Sequence, residues 1–256
     1  MLTVGVDLAA QPKNTAIAVI DWSPGRAKVT RLQVGADDDV IIAAIEDAEK
    51  VGIDCPLGWP MPFIDFITAH RDGHVDALDD EPDTKRRRRL AFRMTDLITE
   101  ELVKHRPLSV SADKIGWTAM RAANLLAKLA AQGWAVDRSG AGVVVEVYPA
   151  ASLRVWELTR HRNDANWRSD IVDRLAAAPP WLDLGSFEMR CRTSSHAFDA
   201  VIAAFTARAA ALGLTHPPTD EQMKFARVEG WIAVPRSDAL PRLHEPAGSD
   251  GVASRG

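Results

Sequence analysis

The sequence predicts an α/β chain in which an antiparallel meander of three strands leads into helix-linked parallel strands. Three observations carry this. Three β-rich runs open the chain, and their connections are too short for a crossover, so they pair antiparallel. A helical stripe then separates the third run from a short apolar run at 51–54, which lets that run lie parallel to the first in the sheet centre. The last strong strand signal comes only at 143–147, after a stretch far longer than an ordinary crossover.

Taken in order, Leu2 to Asp7 is short and rich in β-branched residues, and Thr15 to Trp22 follows it. Ser23-Pro24-Gly25 is turn chemistry, and the more polar run Lys28 to Val34 reads as an edge strand. Asp37, Asp38 and Asp39 put negative charge where a helix dipole favours it, and Ile41, Ala44, Ile45 and Ala48 continue at helical spacing. Val51 to Asp54 is a buried strand that stops at Cys55-Pro56-Leu57-Gly58. A helical insertion is expected over about 59–142, with helices near 62–70, 86–105 and 116–132, the last ended by Gly133. Val143 to Val147 is the most strand-like segment, and helices at about 150–160 and 165–177 follow. Ser194-Ser195 caps a helix to Ala211 whose stripe is Phe198, Val201, Ile202, Phe205, Ala209 and Leu212. Residues 1–235 thus read as one domain, and 236–256, rich in Pro, Ser, Asp and Gly, as a disordered tail.

The 256 residues are 46% hydrophobic and 26% charged, which excludes collagen-like, mucin-like and wholly disordered chains. A net charge of −4 provides no global positive field for nucleic acid, though it allows a local basic patch. No apolar stretch reaches 18 residues, so no membrane span is expected. The start MLTVGVDLAA lacks the basic region of a signal peptide, and Cys55 and Cys191 have no metal spacing, so a cytoplasmic setting with reduced thiols is expected.

Walker, dinucleotide-binding, zinc-protease and nucleophile-elbow motifs are all absent. What remains is a set of carboxylates at element ends. Asp7 ends the first strand, Asp54 ends the fourth, Glu146 lies near the end of the fifth, and Asp199 falls in the first turns of the helix at 195–211. Carboxyl ends of neighbouring parallel strands converge on one rim of an open sheet. Four carboxylates gathered there would repel unless protonated or neutralised by a cation, and an all-oxygen set suits Mg²⁺ or Mn²⁺. Such ions activate water and steady the leaving oxygen of a phosphodiester. Each residue also has a plain structural role: Asp7 as a loop cap, Asp54 as an Asx-turn, Asp199 as a partner of the helix dipole. Glu146 is the hardest to dismiss, since a lone charge in a buried strand needs a partner. The metal reading fails if Asp7 and Asp199 face away from each other while Glu146 is locked to an arginine instead.

Six segments occur in a recognisable order: Gly5-Val6-Asp7-Leu8-Ala9, Ile53-Asp54-Cys55-Pro56-Leu57-Gly58, Arg93-x-x-Asp96, Glu146-Val147-Tyr148-Pro149-Ala150, Ser195-His196-Ala197-Phe198-Asp199-Ala200 and Glu229-Gly230-Trp231-Ile232. Over roughly residues 3–235 the chain resembles domain-of-unknown-function family 429, described as predicted nucleases with a ribonuclease-H-like fold. The resemblance implies a five-stranded mixed sheet in the order 3-2-1-4-5, flanked by helices. It makes Asp7 the central-strand carboxylate of such nucleases and Asp199 the last-helix one, with Asp54 and Glu146 as candidates for the remaining ligands.

Arg93 and Asp96 lie one helical turn apart, and their match to the family motif makes them candidates for holding substrate phosphate. His196, three residues before Asp199, is a candidate for proton transfer. Trp59, in the loop after Asp54, is placed to stack on a base or simply to pack. The basic run Lys85 to Arg89 reads as a solvated helix start balanced by Asp79, Asp80, Glu81 and Asp83, with a phosphate grip as its alternative. The expected function is a metal-dependent nuclease or phosphodiesterase using Mg²⁺ or Mn²⁺ on nucleic acid. The alternatives are a non-catalytic nucleic-acid or nucleotide-binding module on the same fold, and an actin- or sugar-kinase-like phosphotransfer protein.

Overall fold

Alternation in β1 (Leu2–Asp7) sets the layering. Val4 and Val6 point to one face, while Thr3, Gly5 and Asp7 point to the other. The computed structural model describes residues 1–74, 82–158, 167–177 and 181–246. β1 pairs antiparallel with β2 (Ala16–Ser23), which pairs antiparallel with β3 (Arg26–Val34). After α1 (Asp38–Ile45), β4 (Lys50–Asp54) lies parallel to β1, and β5 (Val144–Glu146) lies parallel to β4. Asp37 caps α1 by accepting from the Val40 amide at 2.9 Å.

Among the described residues the sheet has six strands in the order β5-β4-β1-β2-β3-β6, not the expected five. The sixth, β6 (Leu182–Asp183), pairs with Ala27 and Lys28 on the outer edge of β3. Two residues are too few to show alternation, so no strand signal marks them.

The stretch between β4 and β5 holds α2 (Met61–Arg71), α3 (Asp83–Ala91), α4 (Met94–Val103) and α5 (Gly116–Ala131). The single helix expected over 86–105 is therefore two, broken where Phe92 and Arg93 are extended. α5 buries Ala122, Leu125 and Leu129 completely, in one core with α1, β1 and β4. It is the crossover helix of the β4–β5 connection, and α2 to α4 are the true insertion.

Past β5 come α6 (Pro149–Val155), α7 (Trp167–Ala177), α8 (Glu188–Thr193), α9 (Ser195–Ala211) and α10 (Asp220–Glu229). α6 stops short of the expected 160, and Glu157 turns the chain at φ 55. Residues 159, 160, 165 and 166 of those expected helices, and Asp79, Asp80 and Glu81 near the basic run, lie outside the described residues.

α9 departs most from its sequence pattern. The expected single stripe is instead a helix buried on nearly every side, from Ala197 to Ala209. Glycines make this fit. A Cβ on Gly5 would stand 2.0 Å from the Ala200 carbonyl oxygen, and one on Gly52 2.6 Å from that of Ala203. The backbone of α9 thus lies directly on β1 and β4, and the Thr3 hydroxyl donates to the Ala204 carbonyl at 3.2 Å. Phe198, Phe205, Trp22 and Trp181 fill the core around it, with α7 and α8.

The tail expected to be disordered from 236 is in part folded. Ala239 and Leu243 are fully buried, and Arg208 of α9 donates to the Leu243 carbonyl at 3.0 Å and the Glu245 carbonyl at 2.6 Å. A buried guanidinium needs acceptors, and this segment supplies them. The last part of that tail, 247–256, lies outside the described residues. Among the described residues no helix is long and apolar enough to cross a membrane.

Candidate functional site

Parallel pairing of β1 with β4 sets Asp7 directly beside Asp54, both at the carboxyl ends of their strands. Their parity matches that of Gly5 and Gly52, so both carboxylates face α9. Ser194 caps α9 by accepting from the Ala197 amide at 3.2 Å, which starts the helix at this rim. His196 and Asp199 follow within its first turns. His196 meets Asp7, its Nδ1 lying 2.6 Å from Asp7 Oδ2, with the imidazole 44% exposed and Asp7 14%.

The electrostatics mark these carboxylates as close neighbours. Asp54 is held well above the usual carboxylate range, by burial first and then by the charges of Asp7, Asp199 and Glu146. Asp7 is also raised, by burial, against the lowering effect of its bond and charge interaction with His196. Pairing register thus sets Asp7 beside Asp54, and the charge of Asp199 acts on Asp54 from the first turns of α9. As they stand, no group of three or more His, Cys, Asp or Glu among the described residues is arranged to hold a metal ion. The donor chemistry nonetheless suits a hard divalent ion, since the three side chains offer only carboxylate oxygen and repel one another.

Glu146 takes another place. It is paired with Ile53, not Asp54, so strand alternation turns it to the opposite face. There Arg93 grips both of its oxygens, Nη1 to Oε2 at 2.8 Å and Nη2 to Oε1 at 2.7 Å, and the Leu57 amide donates to Oε2 at 3.0 Å. The expected ligand is thus a structural carboxylate, locked to an arginine. Burial still pushes it up, opposed by the Arg93 charge and hydrogen bonds.

Arg93 and Asp96 are likewise corrected. They do pair, Arg93 Nη2 to Asp96 Oδ1 at 2.8 Å and Nε to Oδ2 at 3.1 Å, but their side chains are 1% and 0% exposed, so neither reaches a substrate. Arg93 also donates to the Glu229 carbonyl at 3.0 Å. The Asp96 carboxylate accepts from the Arg93 amide at 2.9 Å, and this bond opens α4 and accounts for the helix break.

Glu229, which the sequence reading left without a role, completes this clamp. Its two oxygens accept the Met61 amide at 2.8 Å and the Met94 amide at 2.7 Å, the first residues of α2 and α4. Gly230 follows at φ 92, where a Cβ would stand 2.6 Å from Glu146 Oε2. Only glycine permits that approach. The Asp96 signal was readable as a carboxylate three residues after a helix start; that of Glu229 was not, because its partners lie far away in sequence.

The basic run occupies α3, where Arg87 pairs with Asp83 at 2.7 Å, Arg88 with Glu100 at 2.8 Å, and Arg86 lies over the Phe66 ring. These contacts favour the solvated-helix reading of that run over a phosphate grip.

A family model described as a protein of unknown function (DUF429) matches residues 5–223. Comparison with curated proteins and with solved structures found no match.

Proposed function

We propose that this chain, which belongs to the DUF429 family, is a phosphodiester hydrolase acting on nucleic acid. The observation that carries the reading is the side-by-side placement of Asp7 and Asp54 at one strand rim, with the charge of Asp199 acting on Asp54. The meander, the parallel β4 and β5 and the helix laid across β1 and β4 support a ribonuclease-H-like reading of the fold. Asp7, Asp54 and Asp199 are the residues that would hold Mg²⁺ or Mn²⁺, with Glu146 no longer among them. A bound divalent ion supplies Lewis-acid activation of water and of a phosphoryl oxygen. Of the chain's own groups, the N-terminus of α9 adds positive potential at the rim. The half-exposed His196 ring, fixed through Nδ1 by Asp7, is positioned to pass a proton to or from a bound molecule. A cytoplasmic setting fits the two cysteines, both buried and unpaired.

One observation favours a second reading, a non-catalytic nucleotide- or nucleic-acid-binding module: the three carboxylates are close but not arranged as a ligand shell. Thermal melting with and without Mn²⁺ separates the two. An ion at a hundred times its Kd stabilises by about 2.7 kcal/mol, a rise of roughly 5–10 °C for a chain of this size. The hydrolase reading expects that rise, its loss in Asp54→Asn, and Mn²⁺-dependent cleavage of a single-stranded oligonucleotide. A melting temperature indifferent to Mn²⁺ and Mg²⁺ refutes it.

A further inference from the structure

Beside loop 55–60, α5 presents a surface made largely of alanines. Ala123, Ala127 and Ala130 lie at spacings of four and three on one flank of the helix, and with Trp59 and Trp134 they line a cavity of about 410 Å³. Both tryptophans are only partly buried, so their rings are partly open to an occupant. Arg138 also lines the cavity. It is exposed and donates to the Val228 carbonyl at 2.7 Å, and among the described residues no carboxylate pairs with it. The loop that brings in Trp59 continues directly from Asp54, and the Glu146 clamp fixes it through the Leu57 amide at 3.0 Å.

The alanine floor that α5 contributes is shared with Leu126, and Leu57 and Val136 complete the apolar lining with the two indole rings. Such a lining suits a planar ring better than a branched side chain, and the cavity volume is within the range of small-ligand sites. A cation with no acidic partner at the same cavity suits an anion carried by that ring. We propose that this slot takes an unpaired nucleobase, stacked on the tryptophans over the alanine floor, with Arg138 meeting its attached phosphate. The slot lies on the α5 face of the sheet, opposite the face toward which Asp7 and Asp54 point, so the proposal stands apart from the hydrolase reading and names its own ligand class, a single-stranded nucleic acid or a free nucleotide. A paired, stacked base in a duplex cannot enter such a slot without being flipped out.

The test is a binding titration in EDTA, so that no cation chemistry contributes. The probes are a fluorescein-labelled oligodeoxyadenylate, the same strand annealed to its complement, and AMP as competitor. Ala127→Leu fills the slot from an exposed helical position with a good helix former, and Trp59→Ala removes one stacking face. Both are expected to weaken single-strand binding about tenfold or more, with Ala127→Leu melting as the wild type does. Competition by AMP at comparable affinity supports the slot and assigns a free nucleotide; weak competition supports it and assigns a strand. Ala127→Leu binding like the wild type overturns the proposal, as does failure of both the strand and AMP to bind. Ala127→Leu binding and cleaving the strand as the wild type does overturns the slot and leaves the hydrolase reading standing, whereas weakened binding with no Mn²⁺-dependent cleavage by either the wild type or Ala127→Leu keeps the slot and overturns that reading.

Discussion

Replacing Arg93 by methionine separates a structural clamp from a substrate contact. In the folded protein the Arg93 guanidinium makes five hydrogen bonds, two to Asp96, two to Glu146 and one to the Glu229 carbonyl, at 2.7 to 3.1 Å. Methionine keeps much of the volume and removes every one. Two carboxylates with side chains 0% and 2% exposed are then left facing each other without a cation. Breaking a buried pair in this way costs about 3–5 kcal/mol, because an uncompensated charge stays in the interior or must take up a proton. A chain of this length loses roughly 2–4 °C per kcal/mol, so the melting temperature should fall by about 6–20 °C. Adding Asp96→Asn and Glu146→Gln to Arg93→Met removes the stranded charges and should recover a large part of the loss. Differential scanning calorimetry of the single and triple variants at neutral pH measures both. An Arg93→Met protein within about 1 kcal/mol of the wild type, but unable to bind an oligonucleotide, would refute the clamp and return Arg93 to the substrate.

Three further outcomes are expected. Glu146→Gln should leave the Mn²⁺-induced rise in melting temperature unchanged, since Glu146 faces away from the cation side of the sheet; loss of that rise would restore it as a ligand. Gly5→Ala should destabilise by about 3 kcal/mol or more or prevent folding, because its Cβ would meet backbone of α9 at 2.0 and 2.3 Å, and a normal melting curve would show that α9 can lift off the sheet. In chelator, stability should fall as pH rises above about 4: Asp54 has a folded pKa above its unfolded one, so the unfolded state holds fewer protons in that window. Asp7, Glu146 and Glu229 are raised in the same sense, so Asp54→Asn should shallow this slope without abolishing it, and an unaltered slope in melts across that pH range would contradict the placement of Asp54.

The parts of the fold legible in the sequence were those with local signatures. The first four strands have alternating or apolar runs between turn residues, and Ser194 announces the start of α9. What pairing register decides was not legible. Nothing in Val-Val-Val-Glu-Val says whether Glu146 will stand opposite Ile53 or Asp54, and that single step sends its carboxylate to Arg93 instead of to Asp7. The break between α3 and α4 was hidden for a related reason. Residues 83–104 contain no glycine or proline to stop a helix, and the chain opens at Phe92 where the Asp96 carboxylate takes the Arg93 amide and the Arg93 side chain is drawn to Glu146 and the Glu229 carbonyl. α10 had a readable start, since Thr219 and Gln222 form a capping box, with Gln222 Oε1 accepting from the Thr219 amide at 2.9 Å. Among the carboxylates, Asp7 and Asp54 were readable from their positions at strand ends, which parallel pairing converts into adjacency.

The double cap made by Glu229 bears on where this protein can be cut. The match to the family model ends at residue 223, six positions before that carboxylate. A chain stopped at that border would leave the first amides of α2 and α4 without their acceptor and would take away the Ile232 amide that donates to the Thr95 hydroxyl at 2.8 Å. The smallest autonomous piece therefore extends past residue 223, and the inserted helices depend on a keystone that lies just outside the matched segment.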